Sequence, residues 1–242
     1  NEQLSFLIKG KFEQYKQNTS YYVLLNALQQ VIKQALSEPE KILKQWEEAL
    51  SQALSEDAQL IIDLVPEVEL IIGKSKQTES LSPSGDQNHF EKVMLRFISA
   101  ICKQSEIFTL FLDDMQWADI ATINLLQNVI EHDEINNLCL ILAYRDNEIE
   151  PTHAFNQVVQ LNNKKLPHQH FIHLKPLNHD DIIHFISDTL DLSINVVTDF
   201  ANTVIVKTGG NPFFAIEFIR SLKEKNILFR AEDHKWQWDQ AA

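Results

Sequence analysis

The stretch Thr109-Leu110-Phe111-Leu112-Asp113-Asp114-Met115-Gln116-Trp117-Ala118-Asp119 decides how this chain is read. An apolar run stops abruptly on two carboxylates. The run is short enough for a buried strand, and the polar residues that follow end it. Working outward, the same grammar recurs. A helical pattern over about 86–103 precedes the stretch, with Phe90, Val93, Met94, Phe97, Ile98 and Ile101 on one face. A helix over 119–132, a strand over 138–144, a helix over 151–161 and a strand over 170–174 follow it. Upstream, Leu4–Lys9 reads as a strand ending at Gly10. Helices over 21–37 and 39–54 come next, then an apolar segment over 57–72 broken at Pro66. Residues 74–87, with Ser82-Pro83-Ser84-Gly85, read as a loop. Alternating strands and helices predict a parallel sheet covered on both faces.

After Pro176 the pattern changes. Helices over about 178–190, 194–207 and 212–225 follow without strands between them, which predicts a small helical domain. The tail, with Ile227–Arg230 and Lys235–Trp238, predicts a hairpin across Glu232-Asp233-His234, with Trp236 and Trp238 as cross-strand packing residues. The recurrence of Gln-Ala-Leu-Ser-Glu at 34–38 and 52–56 is two copies only, too few for a solenoid.

Bulk composition narrows the function. The 242 residues are enough for one large domain or two small ones. The content, 44% hydrophobic and 23% charged, is that of a globular chain. A net charge of −13 repels phosphate backbones and argues against direct nucleic-acid binding. Cys102 and Cys139 lie in apolar runs and read as buried, reduced core thiols, which fits the cytoplasm. No apolar run reaches membrane-spanning length and no signal peptide opens the chain. The first residue is Asn1, which suggests a chain cut from a longer one.

The chemistry concentrates at strand ends. In a parallel α/β sheet, ligands sit beyond the carboxyl ends of the strands, where Asp113 and Asp114 fall. The first carboxylate suits Mg²⁺ held through water, since Mg²⁺ prefers oxygen ligands and keeps its waters. The second can orient a water toward a γ-phosphate. The bland alternative is a strand ending in a solvated acidic turn. The next strand ends on Arg145-Asp146. Its guanidinium can sense phosphate charge, or simply pair with Asp146 or Glu148 on the surface. Thr208-Gly209-Gly210-Asn211-Pro212-Phe213-Phe214 lies between two helices. Glycine stops and a first-turn proline explain it structurally. Its functional reading is a lid loop whose proline packs on a nucleotide.

A phosphate cradle is missing. Ile72-Gly73-Lys74-Ser75 has Val68 where the first glycine belongs, and Gly10-Lys11-Phe12 has Ser5 there. Neither has the spacing a phosphate-binding loop needs. His168, His170 and His173 do not share one strand face and read as surface histidines rather than a zinc site.

Together these motifs resemble the STAND-type, AAA-like signalling ATPases. Leu110–Asp119 resembles their Walker B segment, Ala143–Glu148 their next strand with its sensor arginine, Leu174-Lys175-Pro176-Leu177 the start of their helical lid, and Thr208–Phe214 their lid motif. Gly10–Gln14, Ile61–Gly73 and Trp236–Asp239 are similar to the ATPase module of very large, cyanobacterial-type signalling proteins, in which a serine/threonine kinase-like domain precedes the module and often a histidine kinase follows. The resemblance implies ATP and Mg²⁺ as cofactors, Asp113 as the metal ligand, Asp114 and Arg145 as catalytic, and Arg145, Gly210 and Pro212 as nucleotide contacts. It also implies a sheet order 5-1-4-3-2 in which this chain supplies strands 2 to 5 and lacks strand 1 with its loop. The expected architecture is therefore an α/β, P-loop NTPase-type sheet over 1–175, a helical lid over 176–226, and the start of a winged-helix-like hairpin domain over 227–242. The expected function is an ATP-dependent switch of a signalling kinase, partnered by nucleotide, by other domains of its parent and by signalling proteins. The alternatives are a non-catalytic interaction scaffold, or the ATPase module of a LuxR-type regulator or a cyclase-linked protein.

Overall fold

A computed structural model describes residues 5–14, 20–74, 87–160, 169–232 and 234–239. The chain divides into two compact units, Asn1–Gln169 and His170–Ala242.

The first unit begins with strand β1 (Ser5–Lys11), followed by helices α1 (Tyr22–Ala35), α2 (Glu40–Leu54), α3 (Ala58–Leu64), α4 (Val68–Ile72) and α5 (Gln87–Cys102). Strand β2 (Ile107–Asp113), helix α6 (Ile120–Ile130), strand β3 (Leu138–Leu142) and the short helix α7 (Phe155–Val159) follow among the described residues. Pro66 separates α3 from α4, as its missing N–H requires. The three strands are parallel in the order β1-β2-β3. This is the adjacency expected of the second, third and fourth strands. Parallel neighbours need long crossovers, and α1–α5 form the first of them.

One face of the sheet carries the core. Phe6, Ile8, Phe108, Leu110 and Leu112 are buried on it. The fully buried Trp46 of α2 meets the Phe6 ring edge-to-face at 5.9 Å. Gly10 lies where β1 passes under α1, and a Cβ there would meet Val23 and Leu112 side chains at 2.7 and 2.8 Å. The opposite face, with Leu7 58% and Ile141 45% exposed, is open among the described residues. Cys139 lies on that open face and is exposed, so only Cys102 is a buried core thiol. Burial pushes the Cys102 pKa up to about 12.

The second unit contains α8 (His179–Leu190), α9 (Ile194–Thr208) and α10 (Pro212–Glu224), then an antiparallel hairpin of β4 (Leu228–Arg230) and β5 (Trp236–Trp238). Ile182, Ile186, Val197, Ala201, Val204 and Ala215 form its core, with Leu228 buried among them. Trp238 stacks on Phe200 with ring centroids 4.9 Å apart. The strand expected over 170–174 is not formed. Phe171, Ile172 and Leu174 are exposed, and a strand is held by ladder bonds to a neighbour, of which this segment has none among the described residues. The expected helix over 151–161 is shortened to α7. His168 and nearly all of the predicted 74–87 loop lie outside the described residues.

Candidate functional site

The carboxyl ends of the three strands come together at one edge of the sheet. β1 and β2 are in register with Lys11 opposite Asp113. The Phe12 N–H donates to the Asp113 carbonyl at 3.1 Å. On the other side the Ala143 N–H donates to the Leu112 carbonyl, and the Met115 N–H to the Ala143 carbonyl, at 2.9 and 3.0 Å. The acidic turn is therefore sewn to both neighbouring strands.

The turn itself is unusual. Asp114 adopts φ 55° and ψ 45°, in the left-handed region. Aspartate tolerates that region better than most side chains. The Asp113 side chain supports the bend by accepting from the Asp114 N–H at 2.9 Å. A single 3-10 turn over Met115–Trp117 follows. Asp119 then caps α6, accepting from the Thr122 N–H at 2.9 Å and the Thr122 hydroxyl at 2.6 Å. The last carboxylate of the quoted stretch is thus committed to starting a helix.

Two cations converge on the pair. The Lys11 ammonium lies 3.0 Å from Asp113 Oδ2 and 2.7 Å from Asp114 Oδ2. Arg145 Nε is 3.7 Å from Asp114 Oδ1. Its Nη1 bonds Glu148 at 2.8 Å, and its guanidinium lies over the Trp117 ring, 5.5 Å from the centroid. Asp114 is buried while Lys11 and Arg145 are largely exposed. Burial alone would raise the Asp114 pKa. Hydrogen bonds from Lys11 and Gln116, with the charges of Lys11 and Arg145, outweigh it and hold the carboxyl below its ordinary value. Lys11 is raised in return, first by its bond to Asp114 and then by that to Asp113.

Sequence reasoning missed two residues here. Lys11 attracted notice only as part of a failed phosphate loop and of the Gly10–Gln14 segment that carries the resemblance, with no role of its own. Its signal was its place at the end of the first strand, readable only once the register with Asp113 is known. Gln116 is the other. Its buried amide donates to Asp114 Oδ1 at 3.0 Å and to Glu148 Oε2 at 3.3 Å. Its carbonyl oxygen accepts from the Arg145 N–H at 3.2 Å, and its backbone carbonyl meets the His153 ring at 3.1 Å. One side chain thereby ties the acidic turn to the segment that bears the arginine.

In the second unit, Gly210 and Pro212 occupy the turn between α9 and α10. Gly209 and Gly210 have φ of 62° and 75°. A Cβ on Gly210 would run into the Leu177 carbonyl, and the Leu177 N–H donates to the Gly210 carbonyl at 2.9 Å. Asn211 caps α10, accepting from the Phe213 and Phe214 N–H groups at 3.0 and 3.3 Å, and Pro212 starts the helix. Pro212, Phe213 and Phe214 are exposed.

A parallel sheet with helical crossovers, whose central strand ends on a carboxylate pair beside a lysine and an arginine, defines an α/β domain of the P-loop NTPase type. Residues 1–141 match the model of the AAA ATPase domain, and the chain belongs to that family. It is similar to hybrid signal transduction histidine kinase G of Dictyostelium discoideum, 23% identical with 96% of this chain and 8% of that protein covered. It is also similar to histidine protein kinase 1 of Candida albicans, 25% identical over 57% of this chain and 6% of that one. The peroxide stress-activated histidine kinase mak3 of Schizosaccharomyces pombe is 21% identical over 94% of this chain and 11% of its own length. The chain thus spans about a tenth or less of these relatives. No solved structure matches it. Among the described residues, no helix is long and apolar enough to cross a membrane.

Proposed function

We propose that this chain is the greater part of an ATP-dependent regulatory switch module within a multidomain signal-transduction kinase. The observation that carries the reading is the convergence of Lys11, Asp113, Asp114 and Arg145 at the carboxyl end of the sheet, in a chain of the AAA ATPase family whose relatives are named as histidine kinases.

The donor set suits Mg²⁺. It offers hard carboxylate oxygens, and Asp113 is accessible enough to leave room for the waters that Mg²⁺ keeps. When bound, Mg²⁺ would supply charge neutralisation for phosphate oxygens. Asp113 would hold the ion. Asp114, kept ionised by its neighbours, would orient a water. Arg145 is held at the rim by Glu148 and Trp117 and would read phosphate charge. In the second unit, Gly210 and Pro212 would present a lid loop to the nucleotide. The phosphate cradle that such chemistry needs is not among these 242 residues. The switch would act as a population shift between states that contact nucleotide differently, coupled to other domains of the parent and to signalling partners.

Two measurements test the reading. The coding region upstream of Asn1 should encode Gly-x-x-x-x-Gly-Lys-Ser/Thr after an apolar strand. In the full-length protein, Asp113→Asn should lower ATP hydrolysis at least about a hundredfold, the scale of losing one preorganised electrostatic contact, without unfolding the domain. A protein that neither encodes that loop nor binds ATP would be an interaction scaffold instead.

A further inference from the structure

Lys11 has more contact with the acidic pair than a strand-end lysine needs. One ammonium sits between oxygens of two different carboxylates, at 3.0 and 2.7 Å. Asp113 Oδ2 and Asp114 Oδ2 therefore face a common point, and a cation already occupies it. An ammonium is a compact point charge on a flexible stem, without the fixed fork of a guanidinium. The Lys11 side chain is 61% exposed, so its ammonium can swing into water. Arg145 cannot play the same part so readily. Its Nε is farther away at 3.7 Å, and its Nη1 is engaged by Glu148. If Lys11 leaves, Asp114 keeps the hydrogen bond from Gln116 and the nearby charge of Arg145. The buried carboxylate is then still partnered.

From this geometry we propose that Lys11 is a resident counter-cation that a divalent cation must displace, so that Lys11 sets the metal affinity of the domain. The inference rests on Asp113 being the metal ligand, as read above. In the metal-free state Lys11 screens the two carboxylates from each other and holds β1 against β2 at its end. A metal ion at the Asp113 oxygen, bound directly at about 2.1 Å or through one of its waters, needs the space that the ammonium occupies. Lys11 then turns outward, where its charge becomes available to the phosphates of a ligand. The resting site is closed by its own side chain, and the metal-loaded site has a free lysine at its rim.

The probe is Mn²⁺ alone, titrated into the chain and followed by paramagnetic broadening of the backbone amide signals of Lys11, Asp113 and Asp114. Lys11→Met should lower the midpoint for broadening about fivefold, the upper range for one exposed ion pair. Lys11→Arg, which keeps the charge, should stay near wild type. Lys103→Met removes an equal charge from the exposed Lys103–Glu134 pair and should leave the midpoint at Asp113 unchanged. An unchanged midpoint in Lys11→Met, or an equal shift in Lys103→Met, overturns the proposal while leaving the metal reading intact. If Asp113→Asn broadens just as wild type does, the metal reading itself fails and the role of Lys11 with it.

Discussion

Two turns in this molecule look alike in their backbone and differ in what they require. Both the turn at Asp113–Trp117 and the turn at Thr208–Pro212 place residues at positive φ before a helical start. In the second, every residue has a folding reason. Gly209 ends α9 in the left-handed region, Gly210 lets the backbone pass the Leu177 carbonyl, Asn211 caps α10, and Pro212 sits where a missing N–H does no harm. In the first, the residue at positive φ is a buried aspartate, where glycine would meet the backbone's need with less strain. Its charge must then be matched by Lys11, Gln116 and Arg145. A residue that costs more than the fold demands is a better pointer to chemistry than a motif the fold explains completely.

The largest effect should come from Gly210→Val. A side chain there meets the Leu177 carbonyl and a forbidding φ together, and should destabilise the second unit by about 3 kcal/mol or more, read as a lower urea midpoint for that unit. Tolerance of the change would break the comparison from the structural side. Next is Asp114→Gly. Relief of left-handed strain, about 1 kcal/mol, offsets the lost ion pair and hydrogen bond. Stability in urea should stay within about 1 kcal/mol of wild type, while Mn²⁺ broadening at Asp113 changes. A loss of 3 kcal/mol would make Asp114 a structural residue after all. The smallest effect is the pH dependence of that pair. Because the folded Asp114 pKa is depressed, its contribution is present above the unfolded value of about 3.9 and is lost as pH falls through the folded value. The stability of wild type relative to Asp114→Gly, followed in urea from pH 6 to pH 2.5, should therefore fall on the acid side. A constant difference would show that the lysine and arginine do not stabilise the ionised form.

Periodicity made the elements legible. Helical spacing placed α1, α2, α5 and α8–α10 within a few residues of their observed ends, because each carries an apolar stripe that must be buried. The run Ile107–Leu112 read as a strand for the same reason. Residues 170–174 show the limit of that signal. Phe171, Ile172 and Leu174 have strand composition, but pairing needs a partner, and composition does not say whether one is there. Cys139 teaches a related lesson, since an apolar neighbourhood in sequence did not reveal that its own side chain is exposed. At the site, the acidic pair and Arg145 were visible as residues at strand ends. Lys11 was not, because its role depends on register with a strand a hundred positions away. Gln116 was part of the quoted stretch, yet an amide earns its meaning only from the groups it bridges.

The stitching of the acidic turn also bears on kinetics. Hydrogen bonds from Phe12 and Met115, and from Ala143 to Leu112, fix the backbone on both sides of Asp113. The side chains of Lys11 and Arg145, by contrast, are mostly exposed. A ligand-induced response at this edge therefore needs only side-chain reorientation, which takes picoseconds to nanoseconds in exposed residues. Charge rearrangement here would be complete long before any domain moves. The dwell time of a switch built on this chain must be set by slower steps elsewhere, such as ligand release, and amides 12, 115 and 143 should be among the last in the unit to exchange with deuterium.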